Sequence, residues 1–256
     1  MSVVKRQMPV RLIPRLDIKS PNLVKGIQLE GLRVMGDPAE HALRYYREGA
    51  DELLYVDIVA SLYERNSLSG LVDATASQIF VPLTVGGGIR TLEDFATMFR
   101  SGADKMAINT AAVRDPSIIS HASRAYGAQA VVLSIEAKRQ GKSWEAYTDN
   151  GREHTGLDVV EWCQKAVGLG AGEILLTSVD REGTRKGFDL DLIVAVSRSV
   201  PVPIIACGGA GSVEDIVAAL EAGADAIALA TLLHYKNFDI KGLKAALRDR
   251  GYSVRL

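Results

Sequence analysis

The stretch "CGGAGSVED", at Cys207–Asp215, decides the fold because a close copy of it, "VGGGIRTLED", stands at Val85–Asp94. The flanking residues repeat as well, with "VPLTVGGG" matched by "VPIIACGG" and "SGADKMAIN" matched by "AGADAIALA". Pro82 and Pro203 are 121 positions apart, and other matched positions share that offset. So regular a register indicates that the chain is built from two similar halves.

The composition is typical of a globular protein with a sizeable core: 256 residues, 47% of them hydrophobic, and a formal net charge of -1. No basic stripe or acidic tail points to a nucleic-acid partner. No apolar run reaches the roughly 18 residues of a membrane span, and the start "MSVVKRQMPV" lacks the apolar segment of a signal peptide. Cys163 and Cys207 form neither a disulfide framework nor a CxxC pair. We therefore expect a cytoplasmic protein.

Strand-like and helix-like segments alternate along the chain. Eight short aliphatic runs are typical of buried parallel strands: "VRLIP", "ELLYVDIV", "FVPLTV", "KMAIN", "AVVLSIE", "EILLTSV", "PIIAC" and "AIALA". The helical segments between them include "PAEHALRYYREG", "LEDFATMFRSG" and "VEDIVAALEAG", each of which ends in glycine.

This alternation predicts an α/β protein, and two architectures fit it. Eight strands, each followed by a helix, in about 250 residues make a (β/α)8 TIM barrel. A doubly wound open sheet also alternates strand and helix. The duplication favours the barrel, because two half-barrels of four units close into eight. No linker interrupts the pattern, so we predict a single domain over residues 1–256.

The doubled glycine loops predict two phosphate sites at the barrel mouth. They follow the third and seventh strands, where backbone N–H groups without side chains allow close approach of a ligand. A capping box then starts a helix after each loop, at Thr91-x-x-Asp94 and Ser212-x-x-Asp215, and helix N-termini attract phosphate oxygens. One such glycine loop alone indicates only a tight turn; two at symmetric places predict a substrate with a phosphate at each end.

Asp17 and Glu136 are the candidate catalytic residues. They stand at the ends of the first and fifth strands, "RLDIK" and "LSIEAK", where barrel enzymes place their chemistry. Opposed carboxylates across a barrel mouth suit general acid and base work. The alternative is that Lys19 and Lys138, two residues further on, pair with these acids and make them structural.

The motifs in combination resemble the cyclase subunit of imidazole glycerol phosphate synthase, along essentially the whole chain. They include "LDIK", "LVKG", "GDP", "TVGGGI", "INTAAV", "GEILLTSVDREGT" and "PIIACGGAG". The resemblance implies a half-barrel duplication that closes an imidazole ring with ammonia. The implied substrate is a ribosyl-aminoimidazole-carboxamide ribotide with two phosphates. The implied products are imidazole glycerol phosphate, for histidine, and an aminoimidazole carboxamide ribotide.

The resemblance also assigns roles to residues of this chain. Asp17 and Glu136 are expected to act as acid and base, and the expected contacts to substrate and phosphate come from Lys25, Gly88, Asn109, Thr110, Thr177, Asp180, Gly183, Gly209, Ala230 and Thr231. A glutaminase partner is expected on the N-terminal face, with ammonia entering through a gate of four charged residues at the starts of alternating strands: Arg11, Glu52, Lys105 and Glu173. No cofactor or metal is expected, and the four histidines are assigned surface or core positions.

Several residues depart from the family pattern on the substrate side. Glu136 replaces an aspartate, and Arg15 replaces a cysteine. Other departures are Leu29, Val34, Val59 and Glu182. They leave open a paralogue that uses glutaminase-derived ammonia to amidate a sugar in surface-polysaccharide synthesis. A phosphoribosyl isomerase and a non-catalytic glutaminase scaffold fit less well. If the chain is a displaced cyclase, Glu136→Asp should raise ring closure.

Overall fold

The computed structural model describes residues 8–60, 68–235 and 238–255. Its strands are β1 (Arg11–Lys19), β2 (Asn22–Ile27), β3 (Glu30–Gly36), β4 (Leu53–Asp57), β5 (Leu83–Gly86), β6 (Lys105–Ile108), β7 (Val131–Gln140), β8 (Ser143–Thr148), β9 (Glu153–Asp158), β10 (Glu173–Ser178), β11 (Ile204–Cys207) and β12 (Ala226–Leu229). Its helices are α1 (Pro38–Arg47), α2 (Ser69–Ala76), α3 (Leu92–Arg100), α4 (Thr110–Arg114), α5 (Ser117–Tyr126), α6 (Val159–Leu169), α7 (Leu190–Ser199), α8 (Val213–Glu221), α9 (Thr231–His234) and α10 (Ile240–Asp249).

Eight of these strands close into a parallel barrel in the order β1, β4, β5, β6, β7, β10, β11, β12, with β12 pairing back to β1. The predicted (β/α)8 barrel is confirmed, and the open sheet is excluded because no barrel strand is left at an edge. Each of the eight sequence runs corresponds to one barrel strand.

Two antiparallel hairpins extend the barrel at its C-terminal end, and the sequence did not reveal them. β1 continues past the barrel to pair with β2, which pairs with β3. In the second half, β7 pairs with β8, which pairs with β9. The hairpins occupy equivalent places in the two halves and lie over the mouth, where the candidate acids are.

The helix ends follow the predicted local rules. Thr91 and Ser212 each accept a hydrogen bond from the N–H three residues on, and Asp94 and Asp215 accept one in return, which completes both capping boxes. The glycine after α3, Gly102, has a φ of 99°, a backbone conformation that favours glycine and stops the helix.

The repeated "GAD" motif fixes strand starts at the N-terminal end of the barrel. In three of its copies the aspartate side chain accepts a hydrogen bond, at 2.8–2.9 Å, from the backbone N–H of a neighbouring strand. The pairs are Asp51 with Leu12, Asp104 with Leu83 and Asp225 with Ile204. Asp51 is also bound by Lys244 of α10 at 2.7 Å, a buried ion pair that ties the last helix to the first strand.

The core has two layers, as the alternation of side chains along a strand requires. Outward-facing residues such as Leu12, Tyr55 and Val85 pack against the helices. Inward-facing residues fill the lumen with a separate cluster: Ile13, Leu54, Ala107, Val132, Leu175, Ile205, Cys207, Ala226 and Ala228. None of the helices in the described ranges is both long and apolar enough to cross a membrane. The first seven residues, on which the signal-peptide expectation depends, lie outside the described part.

Candidate active site

Asp17 and Glu136 both lie at the barrel mouth, as predicted. Asp17 of β1 stands opposite Val56 of β4 and Val24 of β2, and Glu136 of β7 stands opposite Thr177 of β10. Each acid therefore sits where its strand leaves the barrel and enters a hairpin. Asp17 is only 2% exposed, so its charge is compensated by protein groups rather than by bulk water.

Two cations hold Asp17. Arg15 Nε donates to Oδ1 at 2.8 Å, and Lys25 Nζ donates to Oδ2 at 3.0 Å. Lys25, which comes from β2, also contacts Glu182 in the loop after β10. Burial opposes the ionised form of Asp17, but the charges of Arg15 and Lys25 outweigh it and hold the pKa of this carboxyl well below its usual range.

Glu136 has a different environment. Its Oε2 accepts hydrogen bonds from the backbone N–H of Gly151, at 2.8 Å, and from Asn109 Nδ2, at 3.2 Å. Burial raises the pKa of Glu136 to about 7, while the Gly151 bond and the charge of Arg15 act in the opposite direction. The two acids thus have pKa values pushed far apart, which is the pattern of a site that divides acid and base roles.

The first predicted phosphate site borders Glu136. A cavity of about 230 Å³ is lined by the glycine loop after β5 and by the start of α4, including Gly88, Asn109 and Thr110. Gly87 and Gly88 have φ values of 89° and 73°, which leave their backbone facing the cavity without a side chain. The Asn109 amide is used twice, on Glu136 and on the Tyr147 carbonyl at 3.0 Å, so it links this site to the acid.

The second predicted phosphate site is tighter. Gly183, Gly209, Ala230 and Thr231 line a common cavity of about 20 Å³. The loop after β10 covers it, because the N–H of Gly187 donates to the carbonyl of Gly209 at 2.9 Å. The hydroxyl of Thr231 is buried and has no hydrogen-bond partner among the described residues. An orphaned donor at this place is suited to a phosphate oxygen.

The remaining predicted contact residues have separate surroundings. Lys25 is buried between Asp17 and Glu182, and the hydroxyl of Thr177 accepts from Arg15 Nη1 at 3.0 Å. Asp180 lies apart from the cluster: its carboxylate accepts from the backbone N–H of Arg139 at 2.9 Å on an exposed part of the rim.

The expected gate residues form a closed ring at the opposite end of the barrel. Arg11 contacts Glu52 at 3.1 Å and also contacts Glu173, and Lys105 contacts both glutamates at 2.9 Å. Thr84 adds a hydrogen bond to Glu52 at 2.6 Å. The four charges alternate in sign around the ring. Their strands are the first, second, fourth and sixth of the barrel, so the expectation of strictly alternating strands was wrong.

Arg15 is the main residue that the sequence argument missed. In the sequence it is only a departure from a family pattern, whereas in the structure its guanidinium is bound to Asp17, Thr177 and Cys207. Its place two residues before Asp17 was the available signal, since both side chains must then face the same side of β1. Conversely, Lys19 is exposed, and Lys138 lies over the ring of Tyr147 at 4.4 Å, so the expected lysine partners are not the ones that hold the acids.

No group of three or more His, Cys, Asp or Glu side chains suited to a metal ion occurs within the described ranges. His41 and His234 do stand together, with ring centroids 6.1 Å apart, and Tyr45 bonds His234 Nδ1 at 2.6 Å. Burial lowers the pKa of His234 to about 3, which keeps the ring neutral at physiological pH. Both cysteines are free and buried.

Fold and site together define a duplicated (β/α)8 barrel with paired carboxyl groups between two glycine loops and a ring of charges at its base. A family profile described as "Histidine biosynthesis protein" matches residues 11–239, and the chain belongs to this family. It is 61% identical to a Legionella pneumophila protein over 80% of this chain and 98% of the relative. It is 51% identical to one from Myxococcus xanthus, over 96% and 97%, and 48% identical to one from Bifidobacterium longum, over 97% and 99%. All three relatives are named imidazole glycerol phosphate synthase subunit HisF.

Proposed function

We propose that this chain is the ammonia-dependent cyclase and lyase subunit of a glutamine amidotransferase. It would convert a bis-phosphate ribulosyl imidazole precursor to imidazole glycerol phosphate and aminoimidazole carboxamide ribotide, in histidine biosynthesis. The names of relatives that match nearly end to end support this proposal. So does a site that offers acid and base groups with separated pKa values.

The observation that carries the proposal is the order of groups along one lumen. On β1 alone, Arg11 belongs to the ring at the base, Ile13 to the apolar lumen and Asp17 to the mouth. Inward-facing residues two apart are about 6.6 Å apart along a strand. This order, with charges at the base, apolar residues in the lumen and carboxyl groups at the mouth, is the one that delivery of a small neutral molecule through the barrel would require.

The substrate would lie across the mouth with one phosphate at each glycine loop. Gly88, Asn109 and Thr110 would hold the first phosphate, and Gly209 and Thr231 would hold the second, together with Gly183 and Ala230. The reacting carbons would then lie between Asp17 and Glu136. Asp17 and Glu136 would together supply the fixed charge and the acid–base group that imine formation, ring closure and carbon–nitrogen cleavage require.

A glutaminase partner would dock on the N-terminal face, over the charged ring. Arg11 and Lys105 are partly exposed there, with 26% and 18% of their side chains accessible, so the ring can be reached from that face. We propose a cytoplasmic heterodimer in which glutamine hydrolysis supplies the ammonia. The chemistry requires no resident cofactor.

The deciding experiment supplies ammonium salt to the isolated chain with the bis-phosphate imidazole precursor and follows the loss of substrate absorbance. Ammonia-dependent turnover, lost in Asp17→Asn, supports the proposal. A folded protein that binds the precursor but does not turn it over would refute it.

One observation favours a second candidate, the amidation of a sugar derivative. The mouth contains a buried arginine, Arg15, and a glutamate, Glu136, in place of the cysteine and aspartate of the cyclase pattern. A changed reacting centre above an intact charged ring fits an enzyme that still receives ammonia but transfers it to another substrate. The same assay separates the candidates, because a sugar-amidating enzyme would leave the imidazole precursor unchanged.

A further inference from the structure

Arg15 crosses the lumen just below the mouth. It is 2% exposed, and its guanidinium reaches from Asp17 on its own strand to Thr177 on β10 and Cys207 on β11, at 2.8, 3.0 and 3.4 Å. β10 is three strands away from β1 around the barrel, so this side chain spans most of the lumen. A guanidinium bound in this way stays protonated at any pH the protein encounters.

We propose that Arg15 is a positioning residue that divides the work between the two acids. It holds Asp17 as a fixed anion, so that the proton transfers of the reaction pass through Glu136 alone. The catalytic half of this inference rests on the proposed function. The claim that Arg15 controls the ionisation of Asp17 and Glu136 concerns the folded chain by itself.

Both oxygens of Asp17 are occupied by cations. Arg15 takes Oδ1 and Lys25 takes Oδ2, and the second anion of the group, Glu182, balances the second cation. The four charges sum to zero and are all nearly inaccessible to solvent. A proton placed on Asp17 would break a charge-assisted hydrogen bond and leave an uncompensated buried cation, which is strongly unfavourable.

Glu136, in contrast, is bound only by neutral donors, and both of them use Oε2. Its Oε1 has no hydrogen-bond partner among the described residues and is available to a substrate. The residue lines the cavity of about 230 Å³ that contains the first glycine loop. An acid with a free oxygen beside the substrate space, and with a pKa of about 7, is able to both give and take a proton near neutral pH.

Charged groups from several elements surround Asp17 and Glu136. Glu136 faces Arg15 and Asp17 from β1, Asp149 from the turn after β8, and Asp57, Arg90, Arg114 and Asp115 around the shared cavity. Asp17 faces Arg15, Lys25, Glu136 and His234, while Glu182 and Cys207 act on the two cations that hold it. Arg15 is the cation common to both acids, so it is the one residue whose removal should affect both.

Glu136 alone can carry the proton transfers of ammonia addition and of the loss of water. When ammonia adds to the substrate carbonyl carbon, the carbonyl oxygen takes the proton of Glu136 and the added nitrogen returns one to the carboxylate. When water leaves and the imine forms, the departing hydroxyl takes that proton and the nitrogen again returns one. Glu136 ends both steps as it began, and Asp17 remains an anion in both.

The test is a titration of the full chain with 13C-labelled Asp and Glu side-chain carboxyl groups, followed by NMR. The two resonances are assigned by their loss in Asp17→Asn and Glu136→Gln. In the unaltered chain, Glu136 should titrate near pH 7, and Asp17 should not titrate down to pH 4. Titration of Asp17 above pH 4, or of Glu136 near pH 4.5, overturns the proposal without any need for an Arg15 variant.

Arg15→Met then tests whether Arg15 is the cause of the separated pKa values. Loss of the guanidinium should raise the pKa of Asp17 into the measurable range and raise that of Glu136 by about one unit. Cys207→Ala is the matched control. It removes a contact of Arg15 and a weak contact of Glu182 but touches neither Asp17 nor Glu136, so the pKa of these two acids should move by no more than a few tenths of a unit. Arg15→Lys, which keeps the charge, should restore most of the pattern. Unchanged resonances in folded Arg15→Met would contradict the proposal.

The pH dependence of kcat/KM distinguishes a failure of this inference from a failure of the proposed function. With free ammonia held constant, kcat/KM for the imidazole precursor should show one inflection near pH 7, and in Arg15→Met that inflection should move upward by about one unit. Two inflections in the unaltered enzyme, one of them removed by Asp17→Asn, would overturn the division of roles. If the NMR result holds but the precursor is not turned over, the proposed function fails and the role of Arg15 in setting the two pKa values stands.

Discussion

Two groups of four charges lie at opposite ends of one lumen, and each contains two cations and two anions. The lower group is the ring of Arg11, Lys105, Glu52 and Glu173; the upper group is Arg15, Lys25, Asp17 and Glu182. Both are neutral overall, but the cations of the lower group are 26% and 18% exposed, whereas every side chain of the upper group is at most 4% exposed.

This difference in burial determines what each group can do. Water reaches the cations of the lower ring and partly screens its ion pairs, although Glu52 and Glu173 are themselves buried. The upper group is cut off from water, and its members must compensate one another completely. The lower ring is therefore suited to opening and closing, and the upper group to holding charges fixed beside a reaction.

Asp17→Asn breaks the upper group and should have the largest effect. It leaves Arg15 and Lys25 with one anion between them. Turnover should fall by roughly 10²–10³-fold, since a fixed charge at the reacting centre is lost, while substrate binding is largely retained. Stability should also fall by about 3 kcal/mol or more. Steady-state kinetics, substrate titration and urea unfolding measure the three quantities.

Asp191→Asn is the matched control for that prediction. It makes the same chemical change on an exposed carboxylate, 3.1 Å from Arg139 and 80% accessible, and should alter neither turnover nor stability measurably. Near-normal turnover in Asp17→Asn would remove Asp17 from the reaction.

Glu136→Asp tests whether the mouth is built around the longer side chain. A gain in ring closure is expected only if the chain is a displaced cyclase, and the contacts favour the opposite result. Oε2 is held by Gly151 and Asn109 at 2.8 and 3.2 Å, and shortening the side chain by one methylene withdraws it from both. Turnover should fall by roughly ten- to a hundredfold. An increase would show that Glu136 is a displaced aspartate after all.

Glu136→Gln tests the burial of this acid through stability. The folded-state pKa is raised from 4.5 to about 7, so the native state holds a proton that the unfolded chain has lost, and stability falls as pH rises from about 4.5 to 7. A glutamine does not titrate. The variant should therefore gain up to about 3 kcal/mol on the unaltered chain between pH 4.5 and pH 8, measured by urea unfolding at both. A pH-independent difference would mean that Glu136 is ionised in the native state at pH 5.

The sequence predicted the barrel well because buried parallel strands are continuous apolar runs. "EILLTSV" and "PIIAC" mark β10 and β11 to within a residue. The hairpins were missed for the opposite reason: β3, "EGLRVMG", and β9, "EHTGLD", contain only exposed and partly buried residues, and their pairing is interrupted by register shifts, so neither shows a regular period.

The candidate site was likewise predicted only in part. Asp17 and Glu136 were found from strand ends, which are local features of the sequence. The surroundings that set their pKa values were not, because Arg15 meets Thr177 and Cys207 across 162 and 192 positions of chain. Such contacts between distant parts of the chain depend on the strand register of the closed barrel, which cannot be read from a single sequence.

The lower ring is tested by Glu173→Gln, which should have the smallest effect on chemistry. Glu173 contacts both Arg11 and Lys105, so an amide weakens two sides of the ring and leaves Glu52 to hold both cations. Ammonium-driven turnover of the isolated chain should be unchanged, since the mouth is not altered. Glutamine-driven turnover with a glutaminase partner should fall by about tenfold, because delivery through the base is disturbed.

Glu93→Gln removes an exposed carboxylate that pairs with Arg100 on α3, and it should leave both turnover rates unchanged. The ratio of the two rates is therefore the informative quantity. If Glu173→Gln lowers ammonium-driven and glutamine-driven turnover equally, the ring acts on the fold rather than on passage. The two charge groups would then differ only in burial, and the lumen between them would not be the route of ammonia.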